Sequence, residues 1–214
     1  MNKLLQQDEA LRNRINISLM ETTGLTYNGT VSVKHLQWIL IQDYGLDKLE
    51  ALISMPLKAL SIAPFYGCYI LRPESATGFD QWDNPQSLER IIKSLGGEPV
   101  EYDGRVKCCG FPVFLEKEEI ALGMVGKNIG EAAQKGADVM VTPCPLCHMS
   151  LDIYQERAKE NMKKEQGESG SRGMPILHLP QLLGLALGFS SEELGMKKHF
   201  ISTLSVERKR FNPS

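Results

Sequence analysis

Ala137-Asp138-Val139-Met140-Val141-Thr142-Pro143-Cys144-Pro145-Leu146-Cys147 runs from an apolar stretch straight into a cysteine pair. Residues 137–142 read as a short buried strand. Pro145 stands where a first-turn proline suits a helix, so a helix is expected from there to about residue 164. Cys144-x2-Cys147 then sets two thiols on that first turn, where unpaired N–H groups favour negative charge. The stretch before it, Glu116 to Lys135, reads as a long helix closed by Gly136.

The same strand and helix alternation extends in both directions. Upstream, Leu60-Ser61-Ile62-Ala63-Pro64-Phe65-Tyr66 is a short buried strand with Gly67-Cys68 at its end. Residues 85–95 form a helix stopped by Gly96-Gly97, and Pro99-Val100-Glu101-Tyr102 a second strand. The loop Lys107-Cys108-Cys109-Gly110-Phe111-Pro112 follows. Downstream, residues 165–173 carry no apolar side chain and read as a flexible loop. Pro175-Ile176-Leu177-His178-Leu179 is a fourth strand, Pro180 to Leu187 a last helix, and a polar tail closes the chain. This order predicts an α/β fold: an open parallel sheet of about four strands with covering helices. Strand ends then share one carboxyl edge, where such folds place their sites, and every cysteine falls there.

The front of the chain is a small helical segment: a helix over residues 2–21, a turn at Tyr27-Asn28-Gly29-Thr30, a second helix from Ser32 as N-cap to Tyr44, and a short third over 46–53. The expected division is 1–56 helical and connector-like, 57–190 cysteine-rich, and 191–214 a C-terminal tail. With 24 basic and 26 acidic residues, a net charge of −2 gives no case for nucleic acid. No run of ~18 apolar residues supports membrane insertion, and residues 1–8 lack an apolar signal core. A cytoplasmic location is expected, where clustered cysteines serve as ligands or redox groups rather than as disulfides.

The five cysteines fall as Cys-x39-Cys-Cys-x34-Cys-x2-Cys and are the only ones in 214 residues. Scattered structural thiols do not produce a Cys-Cys pair and a Cys-x2-Cys pair at matching strand ends. A thioredoxin-like pair at Cys144 and Cys147 leaves three cysteines unexplained. A four-thiolate zinc site leaves one spare and offers no redox chemistry. An iron–sulfur site recruits sulfur ligands and carries electrons. Zinc stays open as the alternative.

Cys-x39-Cys-Cys-Gly-x33-Cys-Pro-Leu-Cys resembles the CCG cysteine-rich domain of the heterodisulfide reductase B-type subunits. Tyr66-Gly67-Cys68, Leu71-Arg72-Pro73, Cys108-Cys109-Gly110-Phe111 and Leu182-Leu183-Gly184-Leu185-Ala186-Leu187-Gly188 are similar to the second domain of those proteins. Thr30-Val31-Ser32-Val33-Lys34-His35-Leu36 is similar to their interdomain connector. The resemblance implies one non-cubane [4Fe-4S] cluster held by Cys68, Cys108, Cys109, Cys144 and Cys147, all five at once. It implies reductive cleavage of a disulfide between thiol coenzymes (CoM-S-S-CoB or an analogue). It also implies partners: a ferredoxin-like iron–sulfur protein of the C type, a flavin protein of the A type, and another CCG domain to complete a two-cluster site. The 34-residue gap is slightly shorter than the family's spacing, and the first CCG domain has no counterpart, so the expectation is either a truncated or split form or a second cluster supplied by another chain. The alternative function is an electron-relay module of the glycolate, lactate, glycerol-3-phosphate or succinate oxidoreductase type.

Other residues have plainer readings. His35 reads as a packed or hydrogen-bonded helical residue and His178 as a structural one at the sheet edge. His148, next to Cys147, reads as a hydrogen-bond donor behind the ligands before it reads as a ligand. Arg72 is open between steadying an anion and forming a surface ion pair. Gly67 and Gly110 read as points of close backbone approach to a cluster, and Pro143 as a rigid lead-in. No strand is followed by Gly-x-Gly-x-x-Gly, so nucleotide binding has no support.

Overall fold

A computed structural model describes residues 2–73, 78–166 and 173–211. The chain falls into two compact units, 1–39 and 40–214. In the first, α1 (Asn2–Gln7) leads into α2 (Glu9–Thr23). The Asp8 carboxylate caps α2 by accepting from Leu11 N at 2.9 Å, and Gly24 ends it at φ 69°. Asn16 pins the following turn, accepting from Tyr27 N and donating to Tyr27 O. The helix expected from Ser32 instead begins at Leu36, as α3 (Leu36–Trp38), with the His35 ring accepting from Gln37 N at 3.4 Å. Ile39, the last residue of this unit, starts a wider π-helical stretch (Ile39–Tyr44) whose other residues belong to the second unit.

The second unit opens with α4 (Leu46–Glu50) and is built on four parallel strands: β1 (Ser61–Pro64), β2 (Glu98–Pro99), β3 (Val139–Thr142) and β4 (Ile176–His178). Their order across the sheet is β2-β1-β3-β4, with Ile62 beside Val139 and Met140 beside Ile176. The strands are only two to four residues long, so few ladder bonds hold them; burial on both faces does. Side chains alternate between the faces. Ile62, Val139, Val141 and Leu177 pack with Leu88, Ile91, Ile92 and Leu95 of α5 (Ser87–Ser94) and its C-terminal turn, and with Leu182 and Leu185 of α9 (Leu179–Ala186). Ala63, Met140 and Ile176 point the other way, against Val125 and Ile129 of α6 (Glu118–Gln134), Leu151 of α7 (Pro145–Ile153) and Ala158 of α8 (Gln155–Gln166). Each such valine, leucine, isoleucine or methionine side chain contributes roughly 1.5–3 kcal/mol when buried. The α/β fold with a four-stranded parallel sheet stands as expected.

Element bounds differ where side chains override the local pattern. The second strand stops at Pro99, and Tyr102 turns inward to donate its hydroxyl to Pro64 O at 2.9 Å. The helix expected over 145–164 breaks at Tyr154. There the buried Gln155 side chain clamps Met174, donating to its O at 2.6 Å and accepting from its N at 3.1 Å. Of the run read as a flexible loop, residues 165 and 166 end α8, and 167–172 lie outside the described residues. The polar tail holds a 3₁₀ turn (Met196–Lys198) and α10 (Leu204–Phe211), whose Met196 and Val206 join the first core face.

The sheet order has a consequence for the site. From β1 the chain goes to β2 on one side, then returns past it to β3 on the other. The crevice beyond the carboxyl ends of β1 and β3 is the switch point at which open α/β sheets bind ligands.

Candidate metal centre

Cys68 follows β1 and Cys144 follows β3, so both arise at this switch point. Cys144 is the N-cap of α7, Pro145 its first residue, and Cys147 lies in its first turn. Between β1 and Cys68, Gly67 takes φ +71°, and a Cβ there would lie 2.7 Å from Cys147 Sγ. The absent side chain is therefore what lets the backbone after β1 approach the thiol of α7.

The Cys108-Cys109-Gly110 loop is gripped at three successive residues. Asn128 of α6 donates to Cys108 O, and Ser150 of α7 donates to Cys109 O, both at 2.9 Å. Gly110 takes φ +87°, with room for a Cβ closed off by Ala121 O at 2.7 Å. The close approach at Gly110 is thus to the backbone of α6, whereas that at Gly67 is to a thiol.

These loops bring the five thiols together, and none forms a disulfide. Cys68 neighbours Cys108 and senses the charge of Cys109, while Cys147 lies between Cys109 and Cys144. Burial, followed by the negative neighbours Cys108 and Cys109, pushes the Cys68 thiol up. The hydrogen bond from Cys147 pulls Cys144 down to about 6; the N–H groups of Cys147 and Leu146 help, although neither makes a full capping bond. Cys109 falls to about 7 for the same first cause, with Phe111 N–H assisting. Cys147, the shared donor, is pushed up. Two thiolates beside protonated partners make a donor set ready to accept a metal. Cys109 and Cys147 are buried, whereas Cys68, Cys108 and Cys144 are half-buried, so the site opens on one side.

Tyr66, before Gly67, is buried and tied to α5: its hydroxyl donates to Glu89 and accepts from Leu88 N at 2.8 Å. Glu89 also pairs with Arg105 at 2.5 Å, and Arg105 O accepts from Tyr66 N. Arg72 places its guanidinium over the Trp82 ring, 5.4 Å from the centroid. His178 Nε2 donates to Pro143 O at 3.2 Å, steadying the residue before Cys144, and its ring caps α9. His148 Nε2 donates to Ile176 O at 3.2 Å.

Sequence reasoning missed Asn128, Ser150, Asp152 and His199. Among the described residues, donor atoms of His148, Asp152 and His199 lie within 4.8 Å of one another; the cysteines form no such closed set. Gln181 decides what that trio is. Its oxygen accepts from His178 N and its nitrogen donates to Leu194 O, so the same nitrogen donates to His199 Nε2 at 2.9 Å. The His199 proton is then on Nδ1, facing Asp152 Oδ2 at 3.9 Å. Asp152 also accepts from Phe200 N and Ile201 N at 2.9 and 3.1 Å. The trio fastens the C-terminal segment to α7; it does not present three lone pairs to a metal.

Comparison with known proteins agrees with this anatomy. The family described as the cysteine-rich domain CCG matches residues 62–152, a span that holds all five cysteines. The 8-methylmenaquinol:fumarate reductase membrane anchor subunit of Wolinella succinogenes is 41% identical over 199 residues, covering 93% of this chain and 67% of that one. The B-type subunit of the ferredoxin/F(420)H(2)-dependent CoB-CoM heterodisulfide reductase of Methanosarcina acetivorans is 30% identical, covering 98% of this chain and 68% of that one. A crystal structure of a hypothetical protein from Helicobacter pylori superimposes with a TM-score of 0.69 at 15% identity, over 94% of this chain and 35% of the other; it shares the fold. The two reductase relatives are named as subunits, which supports a redox role within a complex. Among the described residues no helix is long and apolar enough to cross a membrane. This chain belongs to the CCG cysteine-rich family that includes the heterodisulfide reductase B-type subunits.

Proposed function

We propose that this chain is an iron–sulfur, electron-carrying subunit of a multi-subunit reductase, holding one non-cubane [4Fe-4S] cluster through Cys68, Cys108, Cys109, Cys144 and Cys147. The observation that carries this reading is the convergence of five free thiols, two of them lowered toward thiolate, at the β1/β3 switch point. The donor set suits a polynuclear group. A tetrahedral zinc with Zn–S bonds near 2.3 Å holds its sulfurs about 3.8 Å apart. The cysteines, which form no three-sulfur set within 4.8 Å, stand more openly than that. The cluster supplies one-electron chemistry when bound. The chain's own residues supply the rest: Gly67 admits the Cys147 thiol, α7 sets the charge of Cys144, and the two buried cysteines shield one side.

The half-buried side is flanked in sequence by exposed apolar residues, Tyr69, Leu115 and Leu146, which suits a partner surface. Partners of the ferredoxin-like and flavin-containing types, or a second CCG domain, fit such a face. Two uses of the cluster follow from the relatives. Electron relay, as in a quinol:fumarate-type reductase, is placed first, because that relative is 41% identical and one five-thiol site suffices for relay. Disulfide reduction is the second reading, favoured by the 30% relative: two electrons and two protons cleave the S–S bond and leave two thiols.

Anaerobic reconstitution tests the proposal. About four iron and four sulfide per chain are expected, with a paramagnetic signal lost in Cys109→Ser. One zinc per chain without iron uptake refutes it. Adding a menaquinol analogue or a disulfide to the loaded protein then separates the two uses by which of them alters the cluster signal.

A further inference from the structure

We infer that Ser150 and Asn128 are positioning residues that hold the two peptide planes of the Cys108-Cys109-Gly110 loop, so that the Gly110 N–H is aimed at the Cys108 sulfur, and so tune the reduction potential of the bound cluster. The inference rests on the iron–sulfur reading above. It begins from a geometric difficulty: neighbouring residues in extended chain send their side chains to opposite sides, yet Cys108 and Cys109 serve one site. The loop must therefore be bent, and its peptide planes must be held.

A trans peptide points its C=O and its N–H in opposite directions. In the Cys109–Gly110 peptide, the carbonyl oxygen accepts from Ser150 Oγ at 2.9 Å. The N–H at the other end of the same plane, that of Gly110, donates to Cys108 Sγ at 3.4 Å. Holding the oxygen toward α7 therefore holds the N–H toward the sulfur. The Cys108–Cys109 peptide is held from the other helix: Asn128 takes its oxygen at 2.9 Å, which fixes the plane that leads into Cys109. Both donors are almost fully buried, Asn128 at 2% and Ser150 at 1% exposure, where a polar side chain is costly unless it has a defined partner. Ser150 lies one turn beyond Cys147, so the helix that carries two of the thiols also orients the loop that carries two more.

Hydrogen bonds to cluster sulfurs are among the determinants of potential, because they offset the charge added on reduction. Ser150→Ala leaves the Gly110 peptide free to rotate, and the potential is expected to shift to more negative values. Ser150→Thr, which keeps the hydroxyl, restores it, and Asn128→Ala shifts it in the same direction as Ser150→Ala. The companion measurement is amide hydrogen exchange at Gly110 in isotope-labelled protein without iron. Exchange is expected to accelerate in Ser150→Ala and return toward wild type in Ser150→Thr. An unchanged potential in fully loaded Ser150→Ala, or equal shifts in the Ala and Thr variants, overturns the inference. If wild-type protein takes up no iron, the iron–sulfur reading fails, and the exchange rate at Gly110 still decides the positioning role.

Discussion

Gly67 concentrates two constraints on one residue. Its φ of +71° is left-handed, which costs an L-residue roughly 1–2 kcal/mol, and a Cβ would press on Cys147 Sγ at 2.7 Å. The first constraint weakens folding; the second displaces a thiol. Gly67→Ala is therefore expected to fold with a stability lower by about 1–2 kcal/mol and to lose most of its iron uptake. Iron per chain and denaturant unfolding of the metal-free protein check the two effects separately, and uptake at the wild-type level would show that the thiol tolerates a side chain there. At this scale the cysteines were legible because their chemistry lies in the residue type. Gly67 was legible from its place at a strand end. Asn128 and Ser150 were not, since Asn or Ser in a helix reads the same whether it faces water or a backbone carbonyl. Their only signal is register: Asn128 precedes Ile129 on the buried stripe of α6, and Ser150 follows Cys147 by one turn. His199 was invisible for another reason: it meets Asp152 from a segment 47 positions away that looked like polar tail.

Elements of this fold are short, and long-range side-chain bonds set where they stop. The strands were legible through apolar runs bounded by turn residues, and the structure converts those runs into two buried faces by simple alternation. What the pattern concealed was the break between α7 and α8, because residues on both sides have good helical sequence. Gln155 makes the break by clamping Met174, a contact that no local periodicity encodes. Asp152 acts in the same way at the end of α7, gathering two backbone N–H groups from Phe200 and Ile201. Asp152→Ala leaves those two donors without their acceptor and removes the carboxylate beside His199. The expected cost is roughly 2–3 kcal/mol, with early proteolytic cleavage between residues 199 and 211. Limited proteolysis with mass mapping measures this; cleavage unchanged from wild type would show that core contacts of Met196 and Val206 alone hold the segment.

For the molecule as a whole, buried imidazoles and paired thiols make stability a function of pH. Burial lowers His148, His178 and His199 below their ordinary 6.5, and for His148 the adjacent His199 adds to the effect. Below pH 6.5 the unfolded chain therefore binds protons that the folded chain refuses, and stability falls as pH drops. In the metal-free protein Cys144 and Cys109 act in the same direction at higher pH. Their folded values near 6 and 7 lie below the ordinary 9.0, so the folded chain holds fewer protons between about 6 and 9, and stability climbs across that window. Cys68 and Cys147 are raised, so above pH 9 they hold protons that the unfolded chain has lost, and the climb reverses. Each proton difference contributes a slope of about 1.4 kcal/mol per pH unit. Urea midpoints of the metal-free chain are thus expected to rise steadily from pH 5.5 to 8.5 and then decline. Loading the cysteines with metal holds them as thiolates in the folded chain while the unfolded chain still protonates them below about pH 9, so the rise should steepen. A metal-free profile flat from pH 5.5 to 8.5 would mean that these groups titrate alike in the folded and unfolded chains, and that the site does not hold thiolates in advance of its metal.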